Sequence, residues 1–453
     1  MKKNLCMALL CTLLAVLLLT GCGSKEMVTV SLWHVYGEAD DSPLNDLVDE
    51  FNETVGKEKN IRVEVTGVTN TNNIHDKVLA AAGGEEGAES LPDMFVSYPK
   101  TVLAMPDSSI LVNYRDYFSN DELSKFVPDF MQEGMINGKQ LVLPVAKSTE
   151  ILFINKTAFD RFAAATGAKL SDLYTWEGLF KTARKYVQWE KTTEQKNDPK
   201  PFLAHDSYFD YFQIGVTALG GSFFNGSGTG ISYSPIFDRV WKSYAEAAAE
   251  GAVWLGSGYA SQAMRTGDAV AVIASSASVR YFSDTVTYAD NSTEKISIIS
   301  LPCPTFIAGE KLTMQRGAGI CTVKSTPRRE KACMTFLRWL TETERNVQFA
   351  TSLGYMPVKQ EAFSSYLPQA ISELTDPMYI SMYQAFMQAK AEYKFYTPPQ
   401  YESYLELETE FEDLAREKLQ LAAESYKEDS SQTAEMLAAQ SLQNFIRDYE
   451  AAK

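Results

Sequence analysis

Val28-Thr29-Val30-Ser31-Leu32-Trp33 alternates small polar with apolar side chains, the period-two pattern of a half-buried strand. Leu44, Leu47, Val48 and Phe51 follow at i, i+3, i+4 and i+7, the spacing of one helix face. Residues 61–68 alternate again, residues 75–82 read as a helix, and residues 94–96 form a short apolar strand after Pro92-Asp93. Residues 83–90 between them are a polar loop. Strand, helix, strand, helix, strand marks an α/β unit built on a parallel sheet.

The same style continues downstream. Strands are expected at 140–144, 151–155, 269–274, 296–300 and 321–324. Helices are expected from 157, over 176–186 behind an N-capping Thr175, and over 328–341. Residues 191–200 read as a surface loop. From residue 379 onward the pattern is almost wholly helical, and acidic residues at 402, 406, 408, 410, 412 and 413 read as a solvated helix face. At 453 residues the chain suits two domains.

Composition bounds the function. With 42 basic and 58 acidic residues the net charge is −16, which repels phosphate backbones and argues against nucleic-acid binding. Three histidines far apart in sequence, His34, His75 and His205, do not make a multi-histidine metal centre, so no metal or other cofactor is expected. There is no P-loop, nucleophile elbow or zinc motif, and no carboxylate pair is singled out by spacing, so an enzyme is not expected.

The N-terminus has two lysines, an apolar run over 5–19, then Leu19-Thr20-Gly21-Cys22. The run is short for a spanning helix and has the layout of a secretory leader. Leu-Thr-Gly-Cys resembles the bacterial lipobox, which implies a signal peptide over 1–21, acylation of Cys22, and a tether over 22–27 holding the protein outside the cell membrane. Cys303, Cys321 and Cys333 then remain, an odd number that cannot pair fully within one chain. They read as small buried hydrophobes, and one disulfide stays possible without a preferred pair.

Several segments together resemble one family. They are Trp33-His34, Leu91-Pro92-Asp93-Met94, residues 143–156 (Leu-Pro-Val-Ala-Lys-Ser-Thr-Glu-Ile-Leu-Phe-Ile-Asn-Lys), Thr175-Trp176-Glu177, residues 271–278, Arg316-Gly317-Ala318-Gly319, the helix over 331–343, and Gly354-Tyr355-Met356-Pro357. In this order they resemble the extracellular solute-binding proteins of ABC importers, in the branch of maltose-binding and glycerol-phosphate-binding proteins. The resemblance implies a two-lobed α/β fold of the periplasmic-binding-protein type II, each lobe a mostly parallel sheet flanked by helices, with a helical C-terminal region. Residues 28–145 plus 317–349 would form one lobe and 146–316 plus 350–453 the other. Hinge crossings would lie near 145–147, 315–317 and 350–354.

A sugar site needs flat aromatic rings and planar or hydroxyl partners, and the chain is rich in aromatics. Trp33 and Tyr98 sit at strand ends, where cleft residues of α/β sheets lie, though core packing accounts for them equally well. The resemblance adds Ser148 with the adjacent Glu150, Tyr208 and Phe209 in an aromatic-platform region, Gly317, and Tyr355. Ser276 follows an apolar strand, where hydroxyls and free amides gather. Arg316 is a candidate partner for an anionic group.

Ser148, Ser276, Gly317 and Tyr355 agree with the glycerol-phosphate pattern. Pro99 and Thr69 depart from it, and residues 396–410 contain no arginine for the phosphate. The expected ligand is therefore a neutral carbohydrate, handed to ABC permease subunits by a monomeric binding protein. Glycerol phosphate or a glycerophosphodiester is the alternative ligand; a receptor-linked sensor or a secreted glycan-degrading enzyme are the alternative roles.

Overall fold

The computed structural model describes residues 26–37, 42–193, 199–429 and 431–452. The leader, the lipobox with Cys22, and most of the tether lie outside the described residues. The opening alternation forms β1 (Val28–His34), which pairs in parallel with β2 (Ile61–Gly67) and β3 (Met94–Ser97). Helix α1 (Pro43–Glu53) buries Leu44, Val48 and Phe51; Ser42 caps it by accepting from the Leu44 amide at 3.2 Å, and Pro43 supplies the fixed φ of a first turn. Helix α2 (Thr71–Gly83) is capped by Asn70, whose Oδ1 accepts from the Asn73 amide at 2.9 Å.

The remaining strands of the two main sheets are β4 (Leu143–Pro144), β5 (Ser148–Asn155), β6 (Leu203–His205), β7 (Ala271–Ser275), β8 (Ile298–Pro302), β9 (Leu312–Arg316), β10 (Gly319–Thr322) and β11 (Lys394–Tyr396). The first lobe carries the order β2-β1-β3-β10-β4. The second carries β11-β9-β5-β7-β6, with β8 also on β5. Every residue of β5 is buried. Both sheets are mixed rather than mostly parallel. The β2-β1-β3 trio is parallel, but β10 runs antiparallel to β3 and β4, and β5 runs antiparallel to β7, β8 and β9. A strand that returns from the other lobe enters its sheet reversed, without the helical crossover that parallel pairing needs.

Helices complete the layers. In the second lobe these include α3 (Trp176–Thr193), started by Thr175, whose Oγ1 accepts from the Gly178 amide at 3.1 Å, and α4 (Tyr208–Ala218). Helix α5 (Pro327–Leu340) covers β1 in the first lobe, and α6 (Pro377–Glu392) covers β8 in the second. The C-terminal pair is α7 (Tyr404–Glu428) and α8 (Ala434–Ala451). Strand β11 interrupts the region read as almost wholly helical. It is three residues long, and its pairing with β9 is a long-range contact that local pattern does not carry. The three cysteines are buried free thiols. Among the described residues no helix is long and apolar enough to cross a membrane.

The chain passes from the first sheet to the second between β4 and β5, and back between β9 and β10. It does not change lobes at 350–354. Val358 O accepts from the Val127 amide and Lys125 O from the Gln360 amide, both at 2.9 Å, so this segment stays with the first lobe; the chain joins the second lobe with α6.

Lys147 gathers these passages. Its amide and carbonyl pair with Met356 at 3.1 and 2.6 Å, and its ammonium, 3% exposed, donates to the Glu133 carboxylate and the Gly317 carbonyl. Gln315 donates to the same carboxylate. Gly317 has φ +91°, and a Cβ there would lie 2.7 Å from Lys147 Cα and 2.8 Å from the Ser148 nitrogen. Close backbone approach is what makes glycine necessary.

Two outcomes follow. Lys147→Met strands a buried carboxylate and should lower stability by about 3–5 kcal/mol in urea unfolding, while adding Glu133→Gln should restore at least half of the loss. Burial, the largest cause at each, holds His34 down at about 4 and His75 and His205 at about 3. A depressed imidazole pKa keeps the folded ring neutral, so an NMR titration should show none of the three protonating between pH 8 and 5; a midpoint near 6.5 at any of them would contradict the packing.

Candidate ligand-binding cleft

Between the lobes lies a cleft of about 760 Å³, within the usual range for small-molecule sites. Its first-lobe wall is the turn 70–73 that opens α2, with His75 and Asp76, and the segment Tyr98, Pro99, Lys100 that follows β3. Its second-lobe wall comes from Asp206, Ser207 and Asp210 after β6, from Gly258 and Tyr259, from Gln315 and Arg316 at the end of β9, and from the segment 398–400 with one face of α7. The cleft thus sits at strand carboxyl ends, where α/β sheets leave room.

Arg316 holds the floor. Its Nη1 donates to Glu150 Oε1 at 3.3 Å and to Asp210 Oδ2 at 3.2 Å. Glu150 is buried behind it, with His205 Nε2 3.9 Å away and the Cys303 thiol at 3.9 Å. Burial, and next the neighbouring Asp210, push the Glu150 carboxyl up to about 8 against the pull of Arg316. Burial likewise raises Asp206 and Asp210. Among the described residues the cleft wall carries seven carboxylates (Asp76, Glu133, Asp206, Asp210, Glu408, Glu412, Asp413) against three cations (Lys100, Arg316, Arg416).

The acidic run at 402–413 is only partly a solvated face: Glu402, Glu406 and Asp413 are exposed, but Glu408 and Glu412 turn into the cleft. Tyr404, Glu408, Glu412 and Arg416 recur every four residues and form one stripe along the cleft. Glu408 pairs with Lys100 across the gap. Glu412 caps α4, accepting from Ser207 Oγ at 2.6 Å and from the amides of Tyr208 and Phe209 at 3.2 and 2.9 Å; burial still pushes its carboxyl up to about 7. The i+4 recurrence was available as a signal, but charge density masked it. Gln400 closes one end, donating to the carbonyls of Glu133 and Met135 at 3.1 and 2.8 Å.

Two tyrosines offer rings. Tyr98 packs 5.7 Å from His75, and burial raises its hydroxyl to about 12, so it stays a neutral donor. Tyr259 lines the second-lobe wall with 58% of its surface exposed, unusual for so large an apolar ring. It follows Gly258 in a loop whose neighbours give no periodic pattern, and sequence reasoning passed over it, as it did Asn70, Asn73 and Gln400.

Of the residues singled out from sequence, Tyr98 and Arg316 line the cleft. Glu150 lies behind Arg316, and Gly317 at the hinge beside it. Ser148 is buried and accepts from Ser275 Oγ at 3.0 Å. Ser276 is also buried, outside the cleft lining, and donates to the Gly354 carbonyl at 2.8 Å. Tyr355 is half-buried outside the lining, its ring edge-on to Tyr36 at 5.7 Å.

Trp33, Tyr208 and Phe209 belong to the core. Lys77 of α2 covers the Trp33 ring at 4.3 Å, Tyr208 meets Tyr244 edge-on at 5.5 Å, and Phe209 packs against Phe223 and Phe411 at 5.2 and 5.5 Å. Much of the aromatic excess is therefore second-lobe packing. A strand end or a cluster of rings does not say which side faces the sheet's helices.

The fold is shared with solved structures. The cyclic alpha-maltosyl-1,6-maltose binding protein of Arthrobacter globiformis is 18% identical, with a TM-score of 0.65 over 93% of this chain and 100% of that one. The ABC substrate-binding protein Lmo0181 of Listeria monocytogenes, solved with cycloalternan, is 16% identical, with a TM-score of 0.68 over 93% and 99%. UgpB of Mycobacterium tuberculosis, solved with glycerophosphocholine, is 15% identical, with a TM-score of 0.67 over 93% and 98%. Residues 46–375, nearly three quarters of the chain, match the model of the bacterial extracellular solute-binding proteins, and the chain belongs to that family.

Proposed function

We propose that this protein captures a neutral carbohydrate, an oligosaccharide, sugar or polyol, and delivers it to the permease of an ABC importer. The observation that carries the reading is the cleft itself: an exposed tyrosine ring on one wall, neutral planar and hydroxyl partners on the other, and carboxylates outnumbering cations. Sugars present apolar ring faces and polar rims, and such a lining meets both. The maltosyl and cycloalternan ligands of structural neighbours support it. The family's extracellular character agrees with a leader over 1–21 cleaved before an acylated Cys22, which would hold a monomer on the outer face of the membrane.

Ligand contacts on both walls exist only when the lobes are together, so ligand binding favours the closed arrangement by its differential affinity. The turn 70–73, Tyr98 and Lys100 would act from one lobe, Tyr259, Arg316 and the α7 stripe from the other. A glycerophosphodiester is the second reading, favoured by UgpB and by the presence of Arg316, but the surplus of carboxylates disfavours a phosphate.

Calorimetry and thermal shift across neutral saccharides and polyols should give at least one stabilising ligand, recovered chemically unaltered. Stabilisation by glycerol 3-phosphate, peptides or a metal alone would overturn the assignment, and turnover of a bound oligosaccharide would mark an enzyme. Tyr259→Ala should weaken binding of that ligand by about tenfold or more, near 1.4 kcal/mol, with unfolding unchanged within about 0.5 kcal/mol.

A further inference from the structure

Arg316 is the cation at the cleft floor, yet it stands against two carboxylates that other elements supply. Glu150 comes from β5 and Asp210 from α4, both buried, and both take their hydrogen bond from the same nitrogen, Nη1. Among the described residues neither Nη2 nor Nε has a protein acceptor, and 30% of the side chain is exposed. The guanidinium therefore presents donors to the cleft while its charge is answered from behind. Asp206 adds another carboxylate on the same wall, its Oδ1 accepting from the Ala260 amide at 2.8 Å. The other cleft cations are also engaged: Lys100 with Glu408, and Arg416 with the Gly256 carbonyl at 2.6 Å and the Tyr208 ring at 5.3 Å.

We propose that Glu150 and Asp210 are specificity-determining positioning residues that convert Arg316 from an anion site into a charge-balanced hydrogen-bond fork, so that the cleft accepts uncharged hydroxyl-bearing solutes and rejects phosphorylated ones. This deepens the carbohydrate reading and rests on it for the identity of the accepted class. A free guanidinium binds phosphate and carboxylate groups in a bidentate manner. With its charge cancelled the same fork keeps its geometry and loses its attraction for anions, while the carboxylates behind it repel them. Rejection of the wrong ligand by a built-in repulsive element is one of the two routes to specificity. Burial raises the Glu150 carboxyl, so at neutral pH Asp210 carries most of the charge that answers Arg316, while Glu150 holds Nη1 in place as a hydrogen-bond acceptor.

The test measures anions directly. Isothermal calorimetry with glycerol 3-phosphate and with sulfate, on the full chain, should show no binding at millimolar concentration for the native protein. The Glu150→Gln, Asp210→Asn double variant should gain at least tenfold in affinity for both, and the gain should disappear when Arg316→Gln is added. Should the double variant not fold by circular dichroism, Asp210→Asn alone should give a smaller gain in the same direction.

A folded variant with no gain, a gain that survives Arg316→Gln, or native protein that binds glycerol 3-phosphate as tightly as the variant would each overturn the proposal. The neutral-saccharide panel is read separately, so failure there strikes the carbohydrate assignment and leaves the anion result standing.

Discussion

A buried ammonium ties together the passages between the two lobes. Lys147 sits where the chain first leaves the first sheet; it bonds to Gly317 where the chain comes back, and its backbone pairs with Met356 where a later segment runs past. Its charge is met by Glu133, which also receives Gln315. An uncompensated buried charge is costly, and a well-bonded one has few alternative arrangements, so this cluster favours a defined hinge geometry over mere adhesion. The bulk of the apolar burial lies elsewhere, in one cluster that runs through the first sheet and onto one side of the second, and in an aromatic-rich cluster on the second lobe's other side. The hinge bears on how the two lobes face each other, and hence on what the cleft between them can hold.

The cleft has the opposite economy of charge. Its walls carry a surplus of carboxylates, but most are engaged: Glu408 with Lys100, Glu412 at the start of α4, Asp206 with the Ala260 amide, Asp210 with Arg316, Glu133 with Lys147. What faces a solute is a set of oriented dipoles and donors and an exposed ring, in a field that disfavours anions. Such a surface suits the uncharged, hydroxyl-bearing solute proposed above.

The fold was largely legible. Alternation in β1 and β2 and the i, i+3, i+4, i+7 spacing of α1 are local signals, and local signals specify elements. The ordered family motifs supplied the two lobes, and the first two passages between the sheets fall at strand ends that those motifs contain. The sequence was silent where the outcome depends on what packs across a distance. Trp33 and Phe209 turned inward, β11 formed only because β9 offered an edge, and the passage placed at 350–354 came later because 358–360 pairs with 125–127. The site was legible in part. Tyr98 is marked by its place at a strand end and Arg316 as a possible partner for an anion, and both line the cleft, whereas Glu150 lies behind Arg316. The stripe 404, 408, 412, 416 was hidden in a run of acids that looked merely soluble.

The most direct measurement is a crystal structure of the protein with the solute that co-purifies or with the best ligand from a saccharide panel. An uncharged polyhydroxyl molecule should lie between the lobes, stacked on Tyr259, bonded to Arg316 from one side and to Tyr98 or the 70–73 turn from the other. A phosphate seated on Arg316, or a solute bound outside this cleft, would contradict it.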